Sequence, residues 1–152
     1  GFFIANLADL SGHKNEGLYE EAIKEFDKAL ELDPMNEEAW TYKASVLDTR
    51  LNKSAEALLA YDKAIELDGE NAVDNESLSS AWIGKGNVLA KLGRYNESFE
   101  AFDKAIEQCP LDAMKPMGAQ AWYKKGIALQ ALGRTSEADA AFAKAKELGY
   151  QA

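Results

Sequence analysis

Tryptophan occurs three times in this chain, at Trp40, Trp82 and Trp122, at intervals of 42 and 40 residues. Four residues after each stands a small residue (Ala44, Gly86, Gly126), and seven after each a leucine (Leu47, Leu89, Leu129). Steps of four and seven return to one side of an α-helix, so these are three copies of one amphipathic helix, helix A. A small residue between two large ones leaves room for a neighbouring helix to come close. A second pattern follows in four copies around Phe26, Tyr61, Phe102 and Phe142. Each aromatic has a small residue four places before it (Ala22, Ala57, Ser98, Ala138) and an alanine three after (Ala29, Ala64, Ala105, Ala145). That is helix B. Gly17, the Leu51–Asn52 stretch, Gly93 and Gly133 fall between the paired helices, where a positive φ commonly ends a helix. A chain with this period folds as a stack of helix–turn–helix units.

These segments resemble tetratricopeptide repeats (TPRs). That pattern of about 34 residues sets Trp, Leu, Gly and Tyr in helix A, then Ala, Phe, Ala and a closing Pro from helix B. This chain supplies Trp82, Gly86, Leu89, Ser98, Phe102, Ala105 and Pro110, and Pro34 closes the first unit in the same way. It departs from the pattern where Leu47, Leu89 and Leu129 replace Tyr and where Lys43, Lys85 and Lys125 replace Leu. Gly69 and Tyr150 stand at closing-proline places. The resemblance implies an all-α, right-handed α–α superhelix of about four units in one domain over 1–152. The units run near 2–36, 37–71, 79–112 and 119–152, with insertions at 72–78 and 113–118 read as enlarged loops. The first helix A, carried by Phe3, Leu7 and Leu10, is degenerate.

Composition and motifs argue against chemistry. The chain carries 26 Asp and Glu against 17 Lys and Arg, a net charge of −9, which disfavours nucleic acid and anionic membrane surfaces as partners. One cysteine, Cys109, forms no internal disulfide, and one histidine, His13, excludes sites that need two imidazoles. No metal or cofactor is expected. Gly84-Lys85-Gly86 looks like part of a phosphate loop but lies inside helix A with no strand before it. Cys109 has no basic neighbour at helical spacing to activate its thiol. Asp27-Lys28, Asp62-Lys63 and Asp103-Lys104 read as the solvated side of helix B. Lys43, Lys85 and Lys125, three residues after each tryptophan, are expected to lay their stems on apolar surface and keep the ammonium wet.

What remains is the side of helix A opposite the Trp–small–Leu stripe. Residues one, two and five after each tryptophan, and one turn beyond, lie there. In the family these places line a concave groove that holds a peptide. The candidate site is therefore Tyr42, Ser45, Ile83, Asn87, Lys91, Tyr123, Lys124 and Ile127. Two tyrosines and two isoleucines among them have no core role in this register. A related subfamily clamps a C-terminal carboxylate on consecutive A helices; Asn87 suits one clamp place, and Lys124 loosely another, but Tyr42, Ser80 and Gly84 do not suit theirs. The expected function is a non-catalytic scaffold, cytoplasmic, that binds a protein or peptide in this groove. The alternatives are a self-association module that forms homo-oligomers and the non-catalytic part of a larger enzyme. At the last helix B, Asp139 and Lys146 take places that are apolar in the other copies, which predicts a solvated face there.

Overall fold

The structure, a computed structural model, describes residues 16–68, 76–109 and 115–151. The expected first helix A and His13 lie outside the described residues. Seven helices are described: α1 Glu16–Leu32, α2 Glu37–Thr49, α3 Ser54–Asp68, α4 Glu76–Lys91, α5 Tyr95–Glu107, α6 Lys115–Ala131 and α7 Thr135–Glu147. The chain groups into two compact units, Gly1–Glu70 and Asn71–Ala152, which puts the boundary at the first insertion.

In the first unit, α1 is a helix B and α2–α3 form the next helix A and helix B. Asn36 starts α2, accepting a hydrogen bond from the Ala39 N–H at 2.8 Å, and Glu37 and Glu38 favour the positive end of the helix. Tyr19, Ala22, Phe26 and Leu30 of α1 are buried with Ala39 and Val46 of α2, and Ile23 and Trp40 pack against them. Gly17, expected in a turn, is the second residue of α1.

In the second unit, α4–α5 and α6–α7 are two A–B pairs, and α4 also touches α6 directly. Phe102 and Ala105 of α5 form a core with Ile83 of α4 and with Ala121 and Ala128 of α6. The small residues of helix A act as read from sequence. A Cβ added to Gly86 would fall 2.6 Å from Cε1 of Phe102, and one on Gly126 would fall 2.5 Å from Cε1 of Phe142. The Ser98 hydroxyl donates to the Gly86 carbonyl at 2.8 Å, so the small place on helix B also ties the pair together.

One expectation needs correction. The insertions are not simply loops: residues 76–78 belong to α4 and residues 115–118 to α6, giving each of these A helices an added turn. Leu78 is buried there, and Met117 packs against the unit's core, which explains why the helix continues. Gly84–Gly86 lie within α4, as their register required. Asp139 and Lys146 are exposed.

The A–B turns follow one design. Gly93 and Gly133 both have φ +74°, and the next N–H, of Arg94 or Arg134, donates to Leu89 or Leu129. In the first unit Asn52, at φ 54°, takes the glycine place, and the closing bond runs from the Lys53 N–H to Leu47, one residue longer. Gly133→Ala is expected to cost about 1 kcal/mol through left-handed strain alone, since nothing surrounds its Cβ position. Asn52→Gly should cost nothing. Urea denaturation of the two variants tests the pair.

Candidate binding face on the A helices

Each candidate residue lies on an A helix, but the structure divides them. Ile83 is only 6% exposed and belongs to the core with Ala121 and Ala128 of α6. The reason is geometric. On α4 the place one residue after the tryptophan points into the seam with α6, and the alanines of α6 let α4 close over it. Tyr123 holds the same repeat position on α6. No described helix follows α7, and there the chain uses Tyr150, whose ring stacks on Tyr123 with centroids 4.2 Å apart. Tyr123 also tilts against Phe142 at 5.5 Å. The expectation that Ile83 and the tyrosines have no core role is therefore overturned for Ile83 and qualified for Tyr123.

The places two and five after the tryptophan are more open. On α2, Tyr42 is 40% exposed and lies parallel to Phe26 at 6.5 Å. Ser45 is half-buried, and its hydroxyl is engaged by Tyr61 of α3, so it offers less to a partner than its register suggested. In the second unit Asn87 and Lys124 are half-buried, Ile127 is 40% exposed and Lys91 is exposed. Lys124 makes no ion pair among the described residues. Tyr150 is the site-adjacent residue that sequence reasoning missed. Its only signal was an aromatic at a place where the repeat pattern calls for proline.

The recurring lysines have a different task from the groove residues. Lys43 and Lys125 have side chains 18% exposed, so their stems are covered as expected. Their ammonium groups are not simply wet. Lys43 Nζ lies 2.5 Å from Asp27 of the preceding helix B, Lys125 pairs with Asp103 in the same way, and each lies 5.1 Å from its tryptophan ring centroid. Lys85 holds the same position over Trp82. The Asp-Lys steps on helix B are thus only half solvated. Lys28, Lys63 and Lys104 form exposed pairs within their own helices, while Asp27 and Asp103 reach across to the next helix A.

Away from that face, the Trp40, Lys43 and Leu47 side of α2 and the Leu59 and Ala60 side of α3 enclose an open cleft of about 480 Å³. Trp82, Lys85, Leu89 and Ala101 enclose a similar one of about 410 Å³ between α4 and α5. Leu59, at the first cleft, is 70% exposed. Cys109 is half-buried with Ser79 Oγ 3.0 Å from its sulfur, and Ser79 is also within hydrogen-bond distance of the Ala105 carbonyl. Among the described residues, no group of three or more His, Cys, Asp or Glu is placed to hold a metal ion. Nor is any described helix long and apolar enough to cross a membrane.

Family models for the tetratricopeptide repeat match residues 13–72 and 77–149. The chain belongs to the tetratricopeptide repeat family. A TPR repeat-containing protein of Methanocaldococcus jannaschii is 37% identical over 89 residues, 59% of this chain and 27% of that protein. The STIP1 homolog of Dictyostelium discoideum is 33% identical over 60% of this chain and 15% of its own length. The Hsp70-Hsp90 organizing protein of Triticum aestivum is 34% identical over 59% and 16%. The matches thus span about a quarter or less of these relatives. Among solved structures, MamA aligns with a TM-score of 0.72 at 20% identity, over 88% of this chain and 70% of that one. BtubC from P. vanneervenii aligns with a TM-score of 0.75 at 17% identity, over 90% and 60%. At that identity the likeness concerns the TPR fold.

Proposed function

We propose that this TPR chain is a non-catalytic protein-interaction scaffold that binds a partner segment on the exposed side of its A helices. One observation carries the reading. Tyr42 and Ile127 expose 40% of their surface on that side, at places where the repeat core does not need a large apolar residue. Within the second unit, Ile127 belongs to the same A-helix pair as Asn87, Lys91 and Lys124, a mixture of apolar and polar side chains suited to recognition. The TPR family and the organising role in one relative's name support a protein partner over a small substrate.

The test is an immobilised peptide array probed with the chain, followed by fluorescence polarisation of the peptides that bind. Tyr42→Ser or Ile127→Ser is expected to weaken those peptides about tenfold, close to 1.4 kcal/mol. Leu59→Ser, at the cleft between α2 and α3, serves as the control and should change nothing. Binding that survives both A-helix variants but is lost in Leu59→Ser would move the site to the cleft and overturn the proposal. Light scattering over a dilution series checks the rival reading, since concentration-dependent association lost in the same A-helix variants would make that face a self-association surface.

A further inference from the structure

Resting on the binding reading above, we infer that the α4–α6 face is selective for a partner segment bearing internal acidic side chains. The observation is a segregation of charge between the two helix layers of the second unit. Helices α4 and α6 carry one carboxylate, Glu76, against Lys85, Lys91, Lys115, Lys124 and Lys125. Helix α5 alone carries Glu97, Glu100, Asp103 and Glu107 against Lys104. In a chain with a net charge of −9, this face runs against the whole.

Of those lysines, Lys85 and Lys125 lie against Trp82 and Trp122, and Lys125 is paired with Asp103. Lys91 and Lys124 are the two on the binding side. Lys124 is half-buried and makes no ion pair among the described residues, whereas Lys28, Lys43, Lys63, Lys104, Lys125 and Lys144 each have a carboxylate partner. A half-buried lysine on a helix pair whose one carboxylate is Glu76 favours an anionic guest, and burial under a partner would strengthen that attraction. The repulsion from the acidic remainder of the chain is screened beyond about 8 Å at physiological ionic strength, so the near lysines dominate.

The other side chains define the rest of the guest. Ile127, 40% exposed, and the Tyr123–Tyr150 stack provide apolar surface beside Lys124 in the sequence of α6. Asn87 provides an amide that can both donate and accept, as an extended backbone requires. The fitting occupant is a segment in which Asp or Glu alternates with apolar or aromatic residues. It need not end there. Ser80 and Gly84 of α4 supply no cation for a terminal carboxylate.

The test uses four labelled dodecapeptides and fluorescence polarisation with the full chain. One alternates Glu with Leu and Tyr and is blocked at both ends. The second replaces every Glu with Gln, the third replaces every Glu with Lys, and the fourth is the acidic peptide with a free carboxyl terminus. The acidic peptide should bind at least about tenfold more tightly than the Gln peptide, and the Lys peptide should not bind. Freeing the terminus should change nothing. Lys124→Glu should weaken the acidic peptide about tenfold and Lys91→Glu/Lys124→Glu further, with Lys124→Gln intermediate and helicity by circular dichroism unchanged. Equal affinity for the Glu and Gln peptides, indifference to Lys124→Glu, or a requirement for the free terminus would each overturn the inference. So would failure of all four peptides to bind. The array hits then decide the broader reading separately, because loss of those hits in Ile127→Ser does not depend on charge.

Discussion

Phe102→Ala is expected to cost about 3–5 kcal/mol, the range for emptying a buried aromatic site. Phe102 is 1% exposed and lies where three helices meet: it comes from α5, its ring meets Gly86 of α4, and Ala121 and Ala128 of α6 share its cluster. The same contact makes an unusual prediction for the glycine. In an open helix Gly→Ala stabilises by about 1 kcal/mol. At Gly86 the new methyl would fall 2.6 Å from Cε1 and 2.9 Å from Cδ1 and Cζ of a ring with nowhere to turn. Overpacking of this kind costs about 1–3 kcal/mol, so Gly86→Ala should be net destabilising. The double-mutant cycle decides the cause. In a Phe102→Leu background the ring edge is gone, and Gly86→Ala should become neutral or stabilising. Urea denaturation of the four proteins measures it. If Gly86→Ala stabilises the parent protein, the helices can separate at little cost, and close approach is not what selects glycine here.

That contact was legible in the sequence because it is local and repeated. Gly86 and Phe102 recur as Gly126 and Phe142, and Ala44 and Tyr61 hold the same places, so the small–aromatic pairing could be read three times. The candidate face was only partly legible. Ile83 and Tyr123 hold the same place after their tryptophans, yet one is core and the other lies under Tyr150. A helical wheel tells which way a side chain points; it does not tell how near the next helix comes. Ala121 and Ala128, which set that distance, lie 38 and 45 residues beyond Ile83 in the chain, roughly one repeat away. The insertions were misread for a similar reason. Pro116 looks like a loop signal, but in the first turn of α6 its missing N–H leaves no helix bond unmade. The Lys43–Asp27 and Lys125–Asp103 links were present as recurring residues, but neither helix alone showed that they face each other.

Stability should fall between pH 10 and 12 through a single tyrosine. Tyr61, 5% exposed on α3, has its phenol pushed up from 10.0 to about 12. Burial is the main cause, because the phenolate would lose its water. The Asp48 carboxylate repels the developing charge in the same direction, while the Ser45 hydroxyl opposes both by hydrogen-bonding to the oxygen. Asp48 is itself buried and accepts from Ser54 at 3.0 Å, which holds it near the phenol. Below pH 10 both the folded and the unfolded chain keep the proton, and the stabilisation is fully present. Between 10 and 12 the unfolded chain releases it while the folded chain still binds it, so stability is lost as the pH rises. A shift of this size is worth about 2–3 kcal/mol. Denaturation curves should therefore separate for the parent protein and Tyr61→Phe, the variant losing less stability across this window despite a constant offset from the missing hydroxyl. Asp48→Asn should narrow the difference without abolishing it, since burial remains. Parallel curves for the parent and Tyr61→Phe would mean that water reaches the phenol, and that the α2–α3 pair opens before the chain unfolds.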